Sequence, residues 1–133
     1  MGCLDVATES IVLSIILIVE DDFLIRELVE VMIQDFGHHT LSASDTDEAL
    51  SLLRTSQHID ALFSDIYLKT AVNGGCELAR QAVELRPKLR VLYTTGNSIT
   101  DKMKGQFVVG SHFLAKPYTQ EQLRCSVVDL FAA

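Results

Sequence analysis

Short apolar runs alternate with amphipathic stretches along the whole chain, and this alternation limits the possible folds more than any other feature. The runs are Ser14–Val19, His39–Ser42, Ile59–Ser64, Leu89–Thr94 and Ser111–Ala115. Each is too short for a helix, and all but His39–Ser42 are rich in Ile, Val, Leu or aromatic residues. Such runs read as strands buried on both faces, the pattern of a parallel sheet.

The stretches between them carry helical spacing. The first places Ile25, Leu28, Val29, Met32 and Phe36 on an inward face and stops at Gly37, a residue suited to a helix C-terminus. The second has Asp45 or Thr46 as a cap ahead of Ala49, Leu50 and Leu53. The third is expected from about Gly75 to Arg86, with Leu78, Ala79, Ala82 and Leu85 inward and Pro87 ending it. A fourth, over roughly 98–106, is polar and weakly patterned. The fifth opens at Thr119, with Glu121 and Gln122 in its first turn, and buries Leu123, Val127, Leu130 and Phe131. The order (βα)5 implies an α/β fold, a doubly wound parallel sheet with helices on both faces and right-handed crossovers. Residues 1–12 are read as an N-terminal extension and 13–133 as the single domain.

Net charge is −7, and Arg86, Lys88 and Arg90 form the one basic cluster. Nucleic acid and anionic membrane are therefore not expected as direct partners. Ile11–Val19 is too short to cross a bilayer, and Asp5 and Glu9 stand where a signal peptide needs bases, so a cytoplasmic protein is expected. The three cysteines and four histidines show no metal-ligand spacing.

In an open α/β sheet, ligands bind beyond the carboxyl ends of the strands. The polar residues there are Glu20 and Asp21 after the first run, Asp65 after the third, Thr95 and Gly96 after the fourth, and Lys116 after the fifth. Two carboxylates about 4 Å apart repel by roughly 4 kcal/mol at an effective dielectric near 20. Three in one cleft call for protonation or a cation. Hard oxygen donors with room for water suit Mg²⁺ or Mn²⁺. Lysine and threonine would contact phosphoryl oxygens, and an Asp can itself be the nucleophile in phosphoryl transfer.

On "ILIVEDD", "ALFSDIYL", "VLYTTG" and "FLAKPY", in that order, the chain resembles a response-regulator receiver domain of two-component signalling over about residues 14–131. The resemblance implies a flavodoxin-like strand order 2-1-3-4-5. It implies Asp65 as phosphoacceptor, with Mg²⁺ held by Glu20, Asp21, Asp65 and the backbone carbonyl of Tyr67. Thr95 would be the switch hydroxyl, Phe113 the switch aromatic, and Lys116 the cation on the phosphoryl group, followed by a cis peptide at Pro117. Tyr67 and Asn97 fall where the family tunes dephosphorylation. Asp22 is assigned to the first turn of the first helix, where the macrodipole favours an acid.

The implied partners are a sensor histidine kinase or histidine phosphotransfer protein and a downstream protein target. Homodimerisation through helix 4, strand 5 and helix 5 would also fit. The implied role is that of a stand-alone phosphoacceptor rather than an enzyme. The segment "YLKTAVNGG" departs from the family by its length and its lack of a proline after Asp65. A phosphorylation-independent pseudo-receiver would lack one of the rim residues. A haloacid-dehalogenase-like phosphatase would carry a second Asp at position 67. A flavodoxin-like cofactor binder would not end its first strand in acids.

Overall fold

The computed structural model describes residues 14–68 and 74–132. Ten elements alternate: β1 (Ile15–Val19), α1 (Phe23–Asp35), β2 (His39–Ala43), α2 (Thr46–Leu53), β3 (Ala61–Asp65), α3 (Gly74–Leu85), β4 (Arg90–Thr95), α4 (Asp101–Lys104), β5 (His112–Ala115) and α5 (Gln120–Phe131). The strands pair in parallel in the order β2-β1-β3-β4-β5, as expected.

Side chains alternate across each strand, so the sheet feeds two cores. Leu17, Val19, Leu62, Val91 and Tyr93 pack with Leu50, Leu53, Leu78 and Ala82 on the α2/α3 side. Ile16, Ile18, Ala61, Phe63 and Leu92 pack with Val29, Ile33, Leu123, Val127 and Leu130 on the α1/α5 side. Burial on both faces is why the central strands β1, β3 and β4 read as continuous apolar runs, whereas the edge strands β2 and β5 are only partly buried, against expectation, because each has a neighbour on one side alone.

Four local expectations change. In α1, Val29 and Ile33 are the buried pair, while Leu28 is 59% exposed and Ile25 is also exposed. Apolar residues occur almost all round this helix, so its periodicity fits more than one stripe, and the sheet accepts only one. Leu85, in the last turn of α3, is 44% exposed rather than inward. Asp22 is the N-cap of α1, not part of its first turn: its side chain accepts from the N–H groups of Leu24 and Ile25. Finally, α4 is a single turn, capped by Thr100, instead of reaching 106. Met103 is its one buried residue. The chain beyond it stacks Phe107 on Tyr93 at 4.2 Å, and the Val108 N–H donates to the Tyr93 hydroxyl at 3.0 Å. That aromatic packing takes the place of further helical turns.

The other caps follow the sequence. Asp45 caps α2, and Thr119 with Gln122 forms a reciprocal capping box on α5. No helix among the described residues is long and apolar enough to cross a membrane. Residues 1–12 and most of the segment after Asp65 lie outside the described residues.

Candidate functional site

The parallel topology brings the carboxyl ends of β1, β3, β4 and β5 to one rim. In-register neighbours in a parallel sheet project to the same face. Ile18 pairs with Phe63, so Glu20 and Asp65, two residues further on, lie side by side. Asp65 pairs with Thr94, and Thr94 with Leu114, two residues before Lys116.

Lys116 Nζ joins the two acids. It donates to Asp65 Oδ2 at 2.7 Å and to Glu20 Oε1 at 3.1 Å. Both acids are buried, Glu20 at 5% and Asp65 at 7% exposed. Each has its other oxygen on a backbone N–H: Tyr67 donates to Asp65 Oδ1 at 3.1 Å, and Asp22 donates to Glu20 Oε2 at 3.0 Å. The Asp65 carboxylate is thus fixed in orientation, with one oxygen on a side-chain cation and one on the main chain. The Lys116–Pro117 peptide is cis, as expected.

Electrostatics at the site are strained. Burial pushes the Glu20 carboxyl above its usual value, although the Asp22 N–H and Lys116 act to lower it, and the neighbouring Asp65 adds to the rise. Burial works against the Lys116 ammonium, but its hydrogen bond to Asp65 and the charges of both acids hold its pKa above the usual lysine value. Two acids face one base, before Asp21 is counted. That residual negative charge and the all-oxygen donor set fit a hard divalent cation. Among the described residues no three His, Cys, Asp or Glu side chains are gathered into a metal-holding group. Mg²⁺ does not need one, since it keeps several waters and is usually held by one or two carboxylates plus phosphate oxygens.

The Glu20 shift has a measurable sign. Its folded-state pKa lies above the unfolded value of 4.5, so the folded protein binds this proton more tightly. The stability from this group is full below 4.5 and is lost as pH rises through the folded value. In metal-free buffer, wild type should therefore lose stability relative to Glu20→Gln between acid and neutral pH. Urea melts of both proteins at the two pH values check this; an unchanged difference would contradict it.

Other predicted residues fall nearby with different contacts. Thr95 is buried, and its hydroxyl oxygen accepts from the Asn97 N–H at 3.1 Å within its own loop. The Lys116 N–H donates to the Thr95 carbonyl at 3.0 Å, which ties the two strand ends together. Phe113 is half-buried, 6.3 Å from the Phe107 ring on the α2/α3 side of the sheet. Tyr67 is half-buried against the same core, and Asp21 follows Glu20 at the half-exposed edge of the rim.

Two supporting residues escaped the sequence reading. Arg26 Nη1 donates to the Glu20 carbonyl at 2.7 Å, while its guanidinium lies 5.5 Å from the Phe23 ring centroid. This clasps the acidic turn from α1. Gly75 packs directly on the turn after Asp65: its N–H donates to the Ile66 carbonyl at 3.0 Å, and a Cβ there would sit 2.1 Å from the Asp65 carbonyl oxygen. The Gly-Gly pair was visible in the sequence, but its tertiary neighbour was not.

The sequence pattern of the response regulator receiver domain matches residues 16–128. The chain belongs to the response regulator receiver domain family. Over 114 residues this receiver is 32% identical to the uncharacterized transcriptional regulatory protein YrkP of Bacillus subtilis, covering 85% of this chain and 47% of that protein. It thus spans about half the length of that relative. Among solved structures, a response regulator receiver protein from Sinorhizobium medicae aligns with a TM-score of 0.80 at 26% identity, covering 91% of this chain and 96% of the other. The response regulator protein TrrA from Thermotoga maritima, in complex with Mg(2+)-BeF, shares the fold with a TM-score of 0.76 at 23% identity, covering 90% of this chain and all of the other.

Proposed function

We propose that this receiver takes a phosphoryl group onto Asp65 from a phosphohistidine on a sensor kinase or phosphotransfer protein. The observation that carries the reading is Lys116 Nζ bridging Asp65 and Glu20 at the mouth of the sheet. An Asp65 oxygen attacks phosphorus, and the bond to the donor imidazole nitrogen breaks with its electron pair left on the imidazole. The protein's part is to present an oriented carboxylate and a cation to the transferring group. Glu20, Asp21, Asp65 and the Tyr67 carbonyl would hold Mg²⁺ (or Mn²⁺). When bound, that ion supplies neutralising charge for the phosphoryl oxygens.

The lysine ammonium is free to pass from carboxylate to phosphoryl oxygen, since it is held by nothing but the two acids among the described contacts. Thr95 leaves Asn97 and turns its hydroxyl to the new group, and Phe113 repacks in response. The surface of α4, β5 and α5 then changes for a protein target or a second copy of the chain. Such a shift requires only that the phosphoryl group contact one state more favourably than the other. Phe23, Leu24 and Leu28 form an exposed apolar surface at the start of α1, next to the acids, and offer a docking surface to the donor. In this role the chain is a phosphoacceptor, not an enzyme with a separate substrate.

Incubation with acetyl phosphate, read by intact mass, tests the chemistry. Modification is expected with Mg²⁺ and should be lost in excess chelator. Equal modification under both conditions would contradict the metal's role.

A further inference from the structure

A buried hydroxyl on β4, beside the site described above, is not used by it. The Thr94 side chain is 3% exposed, and its hydroxyl oxygen is enclosed with no hydrogen-bond partner. Leaving a buried hydroxyl unsatisfied costs free energy, because the group gives up its bonds to water and gains none in return. Valine has the same shape, suits a strand and carries no such cost. A threonine in this position is explained if its hydroxyl finds a partner in another state of the protein.

Its position identifies that state. Thr94 is the in-register neighbour of Asp65 on β4, so the two side chains leave the same face about 4.8 Å apart along the sheet. Phe63 and Leu92, one step earlier in the same register, both belong to the α1/α5 core, and so does Leu114 on the far side of Thr94. Along the sheet the hydroxyl therefore has the apolar Leu114 on one side and the Asp65 carboxylate on the other. In the unmodified protein each Asp65 oxygen accepts one hydrogen bond, from Lys116 and from the Tyr67 N–H, and Thr94 donates to neither. Phosphorylation changes this balance. It adds acceptor oxygens at Asp65 and draws the lysine toward them.

We propose that Thr94 Oγ1 donates a hydrogen bond to the phosphorylated Asp65 side chain, a contact held in reserve until the acyl phosphate forms. The inference rests on the phosphoacceptor reading and adds to it a second strand-four hydroxyl beside Thr95. A hydrogen bond to a charged acceptor is worth about 1.5–3 kcal/mol, so its removal corresponds to roughly tenfold or more in affinity.

Beryllofluoride with Mg²⁺ is the probe, titrated against wild type, Thr94→Val and Thr94→Ser. Thr94→Val should bind roughly tenfold more weakly, yet melt at the same or a higher temperature when unmodified. Thr94→Ser keeps the hydroxyl and should bind like wild type. A purely structural role would lower the melting temperature and leave affinity unchanged. If wild type binds and Thr94→Val binds within twofold of it, the inference fails alone. It fails too if serine loses as much as valine, because shape would then be the cause. If wild type itself binds no beryllofluoride, the phosphoacceptor reading falls and takes the inference with it.

Discussion

Gly75→Ala should be among the most destabilising single substitutions in this protein, costing on the order of 3 kcal/mol and roughly 10 °C in melting temperature. The reason is steric and local. The new Cβ would lie 2.1 Å from the Asp65 carbonyl oxygen, 2.7 Å from Ile66 Cα and 2.9 Å from the Asp65 carbonyl carbon, all backbone atoms. No rotamer change relieves a backbone clash, so α3 must move away from the turn at Asp65 and Ile66. That movement also stretches the 3.0 Å bond from the Gly75 N–H to the Ile66 carbonyl. Because the turn sets the Asp65 carboxylate through the Tyr67 N–H, phosphorylation should slow as well. Gly105→Ala is the control: its Cβ would meet only carbonyls at 3.4 Å and 3.6 Å, and should change stability by less than about 1 kcal/mol. Thermal melts of the three proteins decide the matter. A Gly75→Ala protein that melts with wild type would show that α3 does not lie as described.

Lys116→Met should give the second large effect, and one that depends on conditions. Removing the ammonium leaves Glu20 and Asp65 buried side by side with no cation between them. Breaking a buried ion pair from one side typically costs about 3–5 kcal/mol. The lysine side chain is 22% exposed, so water softens the loss, and about 2 kcal/mol is expected at neutral pH without metal. The acids have two ways out. Divalent metal can replace the lost charge, and protonation of Glu20, whose pKa is already raised by burial and would lose the lowering effect of Lys116, can remove the repulsion. Both Mg²⁺ and mild acid should therefore narrow the stability gap to wild type. Denaturant melts with and without Mg²⁺, at neutral and acid pH, provide the check. A gap unmoved by either would mean that the lost lysine acts through packing of its stem alone.

The frame of the molecule was legible in its residues because burial on both faces makes the three central strands almost wholly apolar, and the helical stretches between them set the order. The rim was legible for the opposite reason: Glu20, Asp65 and Lys116 interrupt apolar runs at equivalent points, and a parallel sheet must bring such points together. What escaped depends on contacts between distant residues. The face of α1 was ambiguous because Phe23, Leu24, Leu28 and Val31 supply apolar side chains that the sheet does not use. The length of α4 was set by Tyr93 and Phe113 receiving Phe107, not by its own weak pattern. Gly75 and Arg26 look ordinary in the chain and become specific only against the Asp65 and Glu20 backbones. Thr94 reads as one more β-branched strand residue until its hydroxyl is found enclosed beside the acceptor.

The central claim is that Asp65 is the phosphoacceptor. Wild type and Asp65→Asn should be treated with acetyl phosphate and Mg²⁺ and compared by intact mass. Wild type should gain one phosphoryl group, labile to base as an acyl phosphate, and Asp65→Asn none. A wild type that stays unmodified, or an Asp65→Asn protein modified to the same extent, would contradict it.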